Sequence, residues 1–200
     1  MIVVGVSQRV DVYPDRNERR DALDQRLCAW LNMAGYLPVP VPNGLQETKG
    51  KNGLQIWLHT IKPNAVVLSG GNNIGEASER DTTERLLCDY AQKNKLPLLG
   101  ICRGMQMMGM WSGGTLKPVQ GHTRTRHELR GEPDGEVNSF HNFSLAACPA
   151  GFAVTATSED GCIESIRHES LSWEGWMWHP EREPDFLLRD IQRLKLLFGE

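Results

Sequence analysis

Cys102 stands in a setting that suits a nucleophile. The apolar run Leu96-Pro-Leu-Leu-Gly-Ile101 leads into it, Gly100 and Gly104 flank it, and a Met-rich segment with helical spacing follows. Strand, tight turn and helix in that order make a nucleophile elbow, with Cys where a serine hydrolase carries Ser. The turn would present the thiol at the head of a helix, where the positive end of the macrodipole favours thiolate. The glycines would allow a strained turn and the close approach of a substrate carbonyl. A buried core cysteine beside a glycine-rich turn is the plainer alternative, and two other segments argue against it. Trp173-Glu-Gly-Trp-Met-Trp-His-Pro-Glu181 reads as a strand stopped by Pro180, with His179 and Glu181 at its mouth. His179 could take the proton of Cys102, and Glu181 could orient the imidazole and stabilise its charged form. Ala65-Val-Val-Leu-Ser-Gly-Gly-Asn-Asn73 reads as a short buried strand opening into two glycines, whose N–H groups could face a developing oxyanion.

These residues need a scaffold that brings strand ends together, and the first half of the chain alternates in the way that builds one. Residues 3–7 read as a strand. Leu23, Leu27, Trp30, Leu31 and Ala34 mark a helical stripe that ends at Gly35, and Leu54, Trp57, Leu58 and Ile61 repeat the spacing before Pro63. A strand over 65–68, a helix near 82–93, a strand over 96–101 and the elbow helix complete the series. The pattern predicts a three-layer α/β fold, an open, mostly parallel sheet with helices on both faces and the site at the carboxyl ends of its strands. After Gly114 short strands take over, with hairpin signals at Asp134-Gly135 and Asp160-Gly161. Phe186, Leu187, Ile191, Leu194 and Leu197 mark a closing amphipathic helix. Trp176 and Trp178 share one strand face and are expected in the core. No repeat, low-complexity tract or linker interrupts the 200 residues, so a single domain over 1–200 is expected.

Composition narrows the classes. A formal net charge of −3 offers nothing for nucleic acid. The apolar start Met1-Ile-Val-Val-Gly-Val6 lacks a basic region and a cleavage site, and no apolar run reaches membrane-spanning length. Five cysteines without a CxxC pair argue against a disulfide framework, and a working thiolate needs a reducing compartment, so a cytoplasmic protein is expected. His122, His127, His141 and His168 lie without HExxH or Cys/His ligand spacing, so neither a metal site nor a cofactor is expected.

The three site segments together resemble the class I glutamine amidotransferase superfamily. Its pattern Gly-x-Cys-x-Gly-x-Gln, with a distant His-x-Glu, stands here as Gly100-Ile-Cys102-Arg-Gly104-Met-Gln106 and His179-Pro-Glu181. Ser69-Gly-Gly71 matches the oxyanion loop, and Val137-Asn-Ser-Phe-His-Asn142 is similar to the glutamine-binding strand. The resemblance covers nearly the whole chain and implies a flavodoxin-like catalytic domain. It implies Cys102 as nucleophile, His179 as general base and acid, and Glu181 as orienting carboxylate. The N–H groups of Gly71 and Arg103 would form the oxyanion hole. Gln106, Ser139, Phe140 and His141 would hold the glutamyl head group, with Gly70 and Asn73 beside them. Asn73 is a departure, because relatives often carry Asp there.

The group attached to the amide nitrogen is a separate question. No acceptor domain is expected after Glu200, which leaves a dissociable glutaminase subunit with a synthetase partner or a free-standing hydrolase. Two basic segments favour the hydrolase. Gln8-Arg-Val-Asp11 and Asn17-Glu-Arg-Arg-Asp-Ala-Leu-Asp-Gln25 should sit above the carboxyl edge, with Glu18 to Asp21 at a helix start. Arg9, Arg19 and Arg20 could there hold an anionic leaving group, since guanidinium binds phosphate oxygens bidentately; a solvated, capped helix start is the ordinary alternative. In Gly121-His-Thr-Arg-Thr-Arg-His-Glu-Leu-Arg130, alternation puts His122, Arg124 and Arg126 on one strand face, as a phosphate clamp or as a charged protective edge. With these segments the chain is similar to the small γ-glutamyl-CDP-amidate hydrolases of the γ-glutamyl hydrolase branch. That resemblance implies a small-molecule, nucleotide-linked γ-glutamyl substrate in the phosphoramidate decoration of surface polysaccharide. A γ-glutamyl-γ-aminobutyrate-type hydrolase stays open beside it.

Overall fold

The computed structural model describes residues 1–45 and 52–199. The strands are β1 (Ile2–Ser7), β2 (Arg9–Tyr13), β3 (Glu18–Ala22), β4 (Tyr36–Val41), β5 (Ala65–Leu68), β6 (Leu98–Ile101), β7 (Leu116–Pro118), β8 (Thr123–Gly131), β9 (Gly135–Phe140), β10 (Phe143–Leu145), β11 (Phe152–Thr157), β12 (Ile163–His168) and β13 (Trp173–Trp176). The helices are α1 (Gln25–Met33), α2 (Gly53–Ile61), α3 (Ser78–Asn94), α4 (Arg103–Trp111) and α5 (Leu188–Phe198).

One nine-stranded sheet, in the order β4-β1-β5-β6-β13-β12-β11-β8-β9, carries the site. From β4 to β13 every pairing is parallel, and from β13 onward every pairing is antiparallel. The expected α/β sheet with added hairpins is therefore the observed one. The short strands β5 and β6 are buried along their whole length, as strands covered on both faces must be. Strand alternation in β13 sorts the helices. Trp173 packs its ring on Trp111 of α4, 5.1 Å between centroids, and Gly175 faces Met105. Trp176 faces the other way, 6.3 Å from Trp30 of α1 and beneath Arg193 of α5. Trp178 stacks on Trp176 at 5.3 Å with rings nearly parallel, both fully buried, as the shared-face reading expected. Each such side chain contributes about 1.5–3 kcal/mol by leaving water.

Helix boundaries follow local chemistry. Asp24 caps α1 by accepting from the Arg26 N–H at 2.9 Å, and Asn52 caps α2 by accepting from Gln55 at 3.1 Å. Lys62 closes α2 in the left-handed conformation just before Pro63.

Three expectations need correction. Residues 18–21 do not begin a helix; they lie in β3, paired antiparallel with β2 around a turn at Asn17, and α1 starts only after the Asp24 cap. The alternation of Val10 and Val12 is the strand signal that the charges concealed. The strand expected to run to His179 ends at Trp176, and residues 180–182 form a single 3-10 turn. In the β8 segment, Arg124 sits in the left-handed region (φ +57°) at a register shift, so alternation breaks there. His122 is thereby buried, while Arg124 and Arg126 are exposed. Among the described residues no helix is long and apolar enough to cross a membrane.

Candidate active site

The elbow is forced by packing. Cys102 takes φ +51° and ψ −105° between β6 and α4, a strained conformation for a residue with a side chain. Its N–H donates to the Trp176 carbonyl at 2.7 Å, so the sheet ladder carries the backbone into the turn. A β-carbon on Gly104 would lie 2.1 Å from the Leu68 carbonyl oxygen, and one on Gly100 would lie 2.5 Å from Met108 Sδ. Glycine at these two positions lets the first turn of α4 rest directly on the ends of β5 and β6.

His179 and Glu181 meet as expected. His179 Nδ1 donates to Glu181 Oε1 at 2.6 Å, with both side chains buried. The imidazole also interacts with the Cys102 sulfur. Burial alone would lower the pKa of His179, but the charges of Glu181 and Cys102 outweigh it and raise the value to about 9. Asn138 fixes the backbone here: it donates to the His179 carbonyl at 2.8 Å and accepts from the His179 N–H at 2.9 Å. The Phe140 ring meets the imidazole edge-on at 5.8 Å. Nothing in the sequence marked Asn138 beyond its place in the segment 137–142.

The Ser69-Gly-Gly71 loop is tied from below. Arg80, fully buried, donates to the carbonyls of Ser69 at 2.7 Å and Gly70 at 2.9 Å. A peptide plane points its N–H opposite its carbonyl, so the Gly71 N–H is directed away from Arg80. Gly71 has φ +112°, and a β-carbon there would lie 2.8 Å from Arg9 Cβ and 2.9 Å from Arg80 Nη1. Glu84 anchors the network, accepting from Arg80 Nε at 2.9 Å, from the Ser7 hydroxyl at 2.7 Å, and from Arg103. Burial would raise the Glu84 pKa, but Arg103 and Arg80 overcome it and hold the carboxyl below its usual range. The Arg103 side chain therefore turns to Glu84 and Asp81, leaving its backbone N–H at the elbow.

A cavity of ≈ 250 Å³ brings Cys102, His179, Gly71 and Asn73 together with Gln106, Phe140, His141 and Arg182. Gln106 spends one amide hydrogen on the Phe143 carbonyl at 2.8 Å, and Asn73 is held by Glu76. Ser139 is fully buried and donates to the His122 carbonyl at 2.7 Å; it supports the wall rather than lining it. A second space of ≈ 30 Å³ that also borders His179 is lined by Gly70, Glu181, Arg9 and Arg182. A larger groove of ≈ 650 Å³ lies between α2 and α3 and holds none of these residues.

The arginines divide. The β2–β3 hairpin does stand above the carboxyl edge, tethered where Asn72 binds both the N–H and the carbonyl of Val10. Arg9 reaches the site, although it pairs with Asp11 at 2.9 Å. Arg19 is paired with Glu79, and Arg20 with Glu18 and the Tyr13 ring. Arg126 is held by Glu136 at 2.7 Å and Glu183 at 3.2 Å, and neither it nor Arg124 lines the two cavities around His179. Arg182, which sequence reasoning passed over, does so with its guanidinium 4.6 Å from the centre of the Phe140 ring. Its position directly after His-Pro-Glu was the available signal.

Comparison with known proteins identifies the family. The glutamine amidotransferase class-I family matches residues 39–187. The chain is 30% identical to the γ-glutamyl-CDP-amidate hydrolase of Campylobacter jejuni, across 98% of this chain and 97% of that one. Among solved structures, a protein assigned to GMP synthase from Thermoplasma acidophilum superposes with a TM-score of 0.74 at 19% identity, covering 100% of this chain and 93% of that one. A glutamine amidotransferase from Thermotoga maritima gives 0.68 at 15% identity, covering 100% and 99%. The chain belongs to the glutamine amidotransferase class-I family.

Proposed function

We propose that this protein is a cysteine-dependent γ-glutamyl amide hydrolase, a single catalytic domain that releases L-glutamate from γ-glutamyl-CDP-amidate and leaves cytidine diphosphoramidate. The observation that carries the reading is Cys102 in a strained elbow at the head of α4, facing the His179–Glu181 pair. The Cys102 sulfur attacks the γ-carbonyl as thiolate, its proton lodged on His179. The carbonyl π electrons move to oxygen, and the Gly71 and Arg103 N–H groups receive the oxyanion; each such donor is worth about a hundred- to a thousandfold in rate. Collapse breaks the C–N bond as His179 protonates the nitrogen, and the phosphoramidate departs. His179 then takes a proton from water, hydroxide attacks the γ-glutamyl thioester, and the C–S bond breaks to give glutamate and the starting pair.

The substrate assignment is supported by the full-length similarity to the Campylobacter jejuni hydrolase and by two arginines, Arg9 and Arg182, beside His179. The cavity around Cys102 suits a glutamyl head group, and a diphosphate on the nitrogen would leave past His179 toward those guanidinium groups. The reading places the protein in a reducing, cytoplasmic compartment, in the supply of phosphoramidate for surface polysaccharide.

The test is glutamate release from γ-glutamyl-CDP-amidate, γ-glutamyl-γ-aminobutyrate and free glutamine, with Cys102→Ala as control. Preference for the CDP compound, abolished in the variant, is the expected result. Preference for the aminobutyrate compound would replace the substrate, and release from none of the three would point to a glutaminase that works only with a synthetase.

A further inference from the structure

Three histidines that lie far apart in the sequence converge on one buried carboxylate. His122 precedes β8, His127 lies within it, His141 follows β9, and Glu164 belongs to β12. Antiparallel pairing of β8 with β9, and the bulge at Arg124, bring the imidazoles to the same side. One ligand-capable atom from each of the four lies within 4.8 Å of the others. Along the sequence these histidines show no metal-ligand spacing, yet His122, His127 and His141 share this cluster and His168 stands apart.

The inner atoms form a closed triangle. His122 Nδ1 lies 3.3 Å from His141 Nε2, His122 Nδ1 lies 3.4 Å from Glu164 Oε1, and His141 Nε2 lies 3.3 Å from the same oxygen. Ligand atoms ~2.05 Å from a tetrahedral zinc are separated by about 3.3 Å, the edge of that tetrahedron. The outer nitrogens decide the tautomers. His122 Nε2 meets the Asp160 carboxylate at 2.9 Å and His141 Nδ1 meets the Phe143 carbonyl at 3.1 Å. Both partners only accept, so each outer nitrogen carries a proton, and in the neutral ring each inner one presents a lone pair. With both rings neutral, three acceptors, one of them an anion, face a common centre with no hydrogen between them. Glu164 is fully buried, and among the described residues neither of its oxygens receives a hydrogen bond; His127 Nε2 is likewise buried without a partner. A buried carboxylate left in that state is costly unless a cation answers it.

We propose that His122, His127, His141 and Glu164 bind a divalent metal ion of the zinc class in a closed, tetrahedral site. Asp160 and the Phe143 carbonyl orient two of the imidazoles, the carboxylate–histidine–metal arrangement that fixes ring and tautomer. With four protein ligands the site is structural rather than catalytic. It would brace the wall of the Cys102 cavity, because the Phe143 carbonyl that holds His141 also accepts from Gln106.

The test is metal content of the full chain, purified without chelator or metal-affinity steps, by elemental mass spectrometry. About one zinc-class ion per chain is expected, and Co²⁺ exchanged into the wild type should give the intense visible absorption of tetrahedral cobalt. Glu164→Gln and His127→Gln should lose the ion, Asp160→Asn should bind zinc about 10- to 100-fold more weakly, and His168→Gln should retain it. Chelation should lower the wild-type Tm. A folded wild type that holds far less than one ion and gives no cobalt spectrum would show a proton-sharing His–Glu network instead and overturn the proposal. So would unchanged metal content in the Glu164 and His127 variants.

Discussion

Gly70 lies against His179 so closely that a β-carbon on it would stand 2.5 Å from the imidazole Cε1. Gly70 itself is not in the left-handed region, so its backbone would accept alanine without strain. The conflict is with the imidazole alone. Gly70→Ala should therefore fold with a Tm near that of wild type and lose on the order of a hundredfold or more in kcat, through displacement of the ring from Cys102. Steady-state glutamate release beside thermal melting separates the two effects. Full activity would mean that His179 can shift without loss and does not act at Cys102.

Glu84 serves two guanidinium groups at once, one beneath the Ser69-Gly-Gly71 loop and one beyond the elbow. The Glu84→Ala substitution takes the paired carboxylate from the buried Arg80 and leaves Arg103 with Asp81. Breaking a buried pair typically costs about 3–5 kcal/mol. Urea midpoints should show a loss of that size, whereas Glu18→Ala, whose partner Arg20 is half exposed, should change the midpoint little. Equal midpoints for the two variants would remove Glu84 from its anchoring place.

Protonation of His179 stabilises the fold, and the sign follows from its raised pKa. An ordinary imidazole titrates near 6.5, and His179 does so at about 9. The contribution is complete below about pH 6.5 and is lost as pH rises through about 9, an effect on the order of a few kcal/mol. Thermal melting of the wild type between pH 7 and 10 should show the decline. His179→Asn should be flatter over that window, and a parallel decline in both would assign it to other groups.

What the sequence disclosed and what it hid differ by range. The elbow at Cys102, the Ser69-Gly-Gly71 loop and the His179-Pro-Glu181 end were legible because each is a local pattern of backbone needs: a turn, a close approach, a strand stop. The parallel order of β1, β5 and β6 followed from alternation with helices. Arg182 and Asn138 escaped because their value lies in what approaches them across the sheet. Residues 18–21 misled because dense charge can cap a helix or solvate a hairpin, and only the pairing with β2 decides between them. Arg126 looked free in sequence, yet Glu136 and Glu183 occupy it.

Arg182 should matter to the leaving group more than any arginine of the β8 strand. Its guanidinium lies over Phe140 in the wall of the Cys102 cavity, while Arg124 lies outside it. A hydrogen bond to a charged group is worth about 1.5–3 kcal/mol, so Arg182→Ala should raise KM for a phosphate-linked γ-glutamyl substrate about 10- to 100-fold. Free glutamine should respond far less, and Arg124→Glu should leave both substrates unaffected. Equal losses for the two substrates in Arg182→Ala would assign the residue to positioning Phe140 rather than to the phosphate.

Asp190 is a carboxylate that the fold holds at a cost. It is buried in the first turn of α5, Arg189 Nε lies no nearer than 3.7 Å, and among the described residues neither carboxylate oxygen receives a hydrogen bond of good geometry. Burial raises its pKa to about 6, against lowering pulls from Arg189 and from the nearby Trp178 indole N–H. An acid whose folded pKa exceeds its unfolded value of 3.8 retains a proton in the native state that the unfolded chain has released. Stability therefore falls as pH rises from about 4 to about 6, and the penalty is complete above that range. Asp190→Asn removes the charge while keeping the shape, and should gain about 1–3 kcal/mol at pH 7. At pH 3 both the native and the unfolded carboxyl are largely protonated, so the gain should shrink there toward zero. Chemical denaturation of both chains at the two pH values reads the difference directly. A gain that is the same at both would assign it to packing or helix propensity instead of to the buried charge.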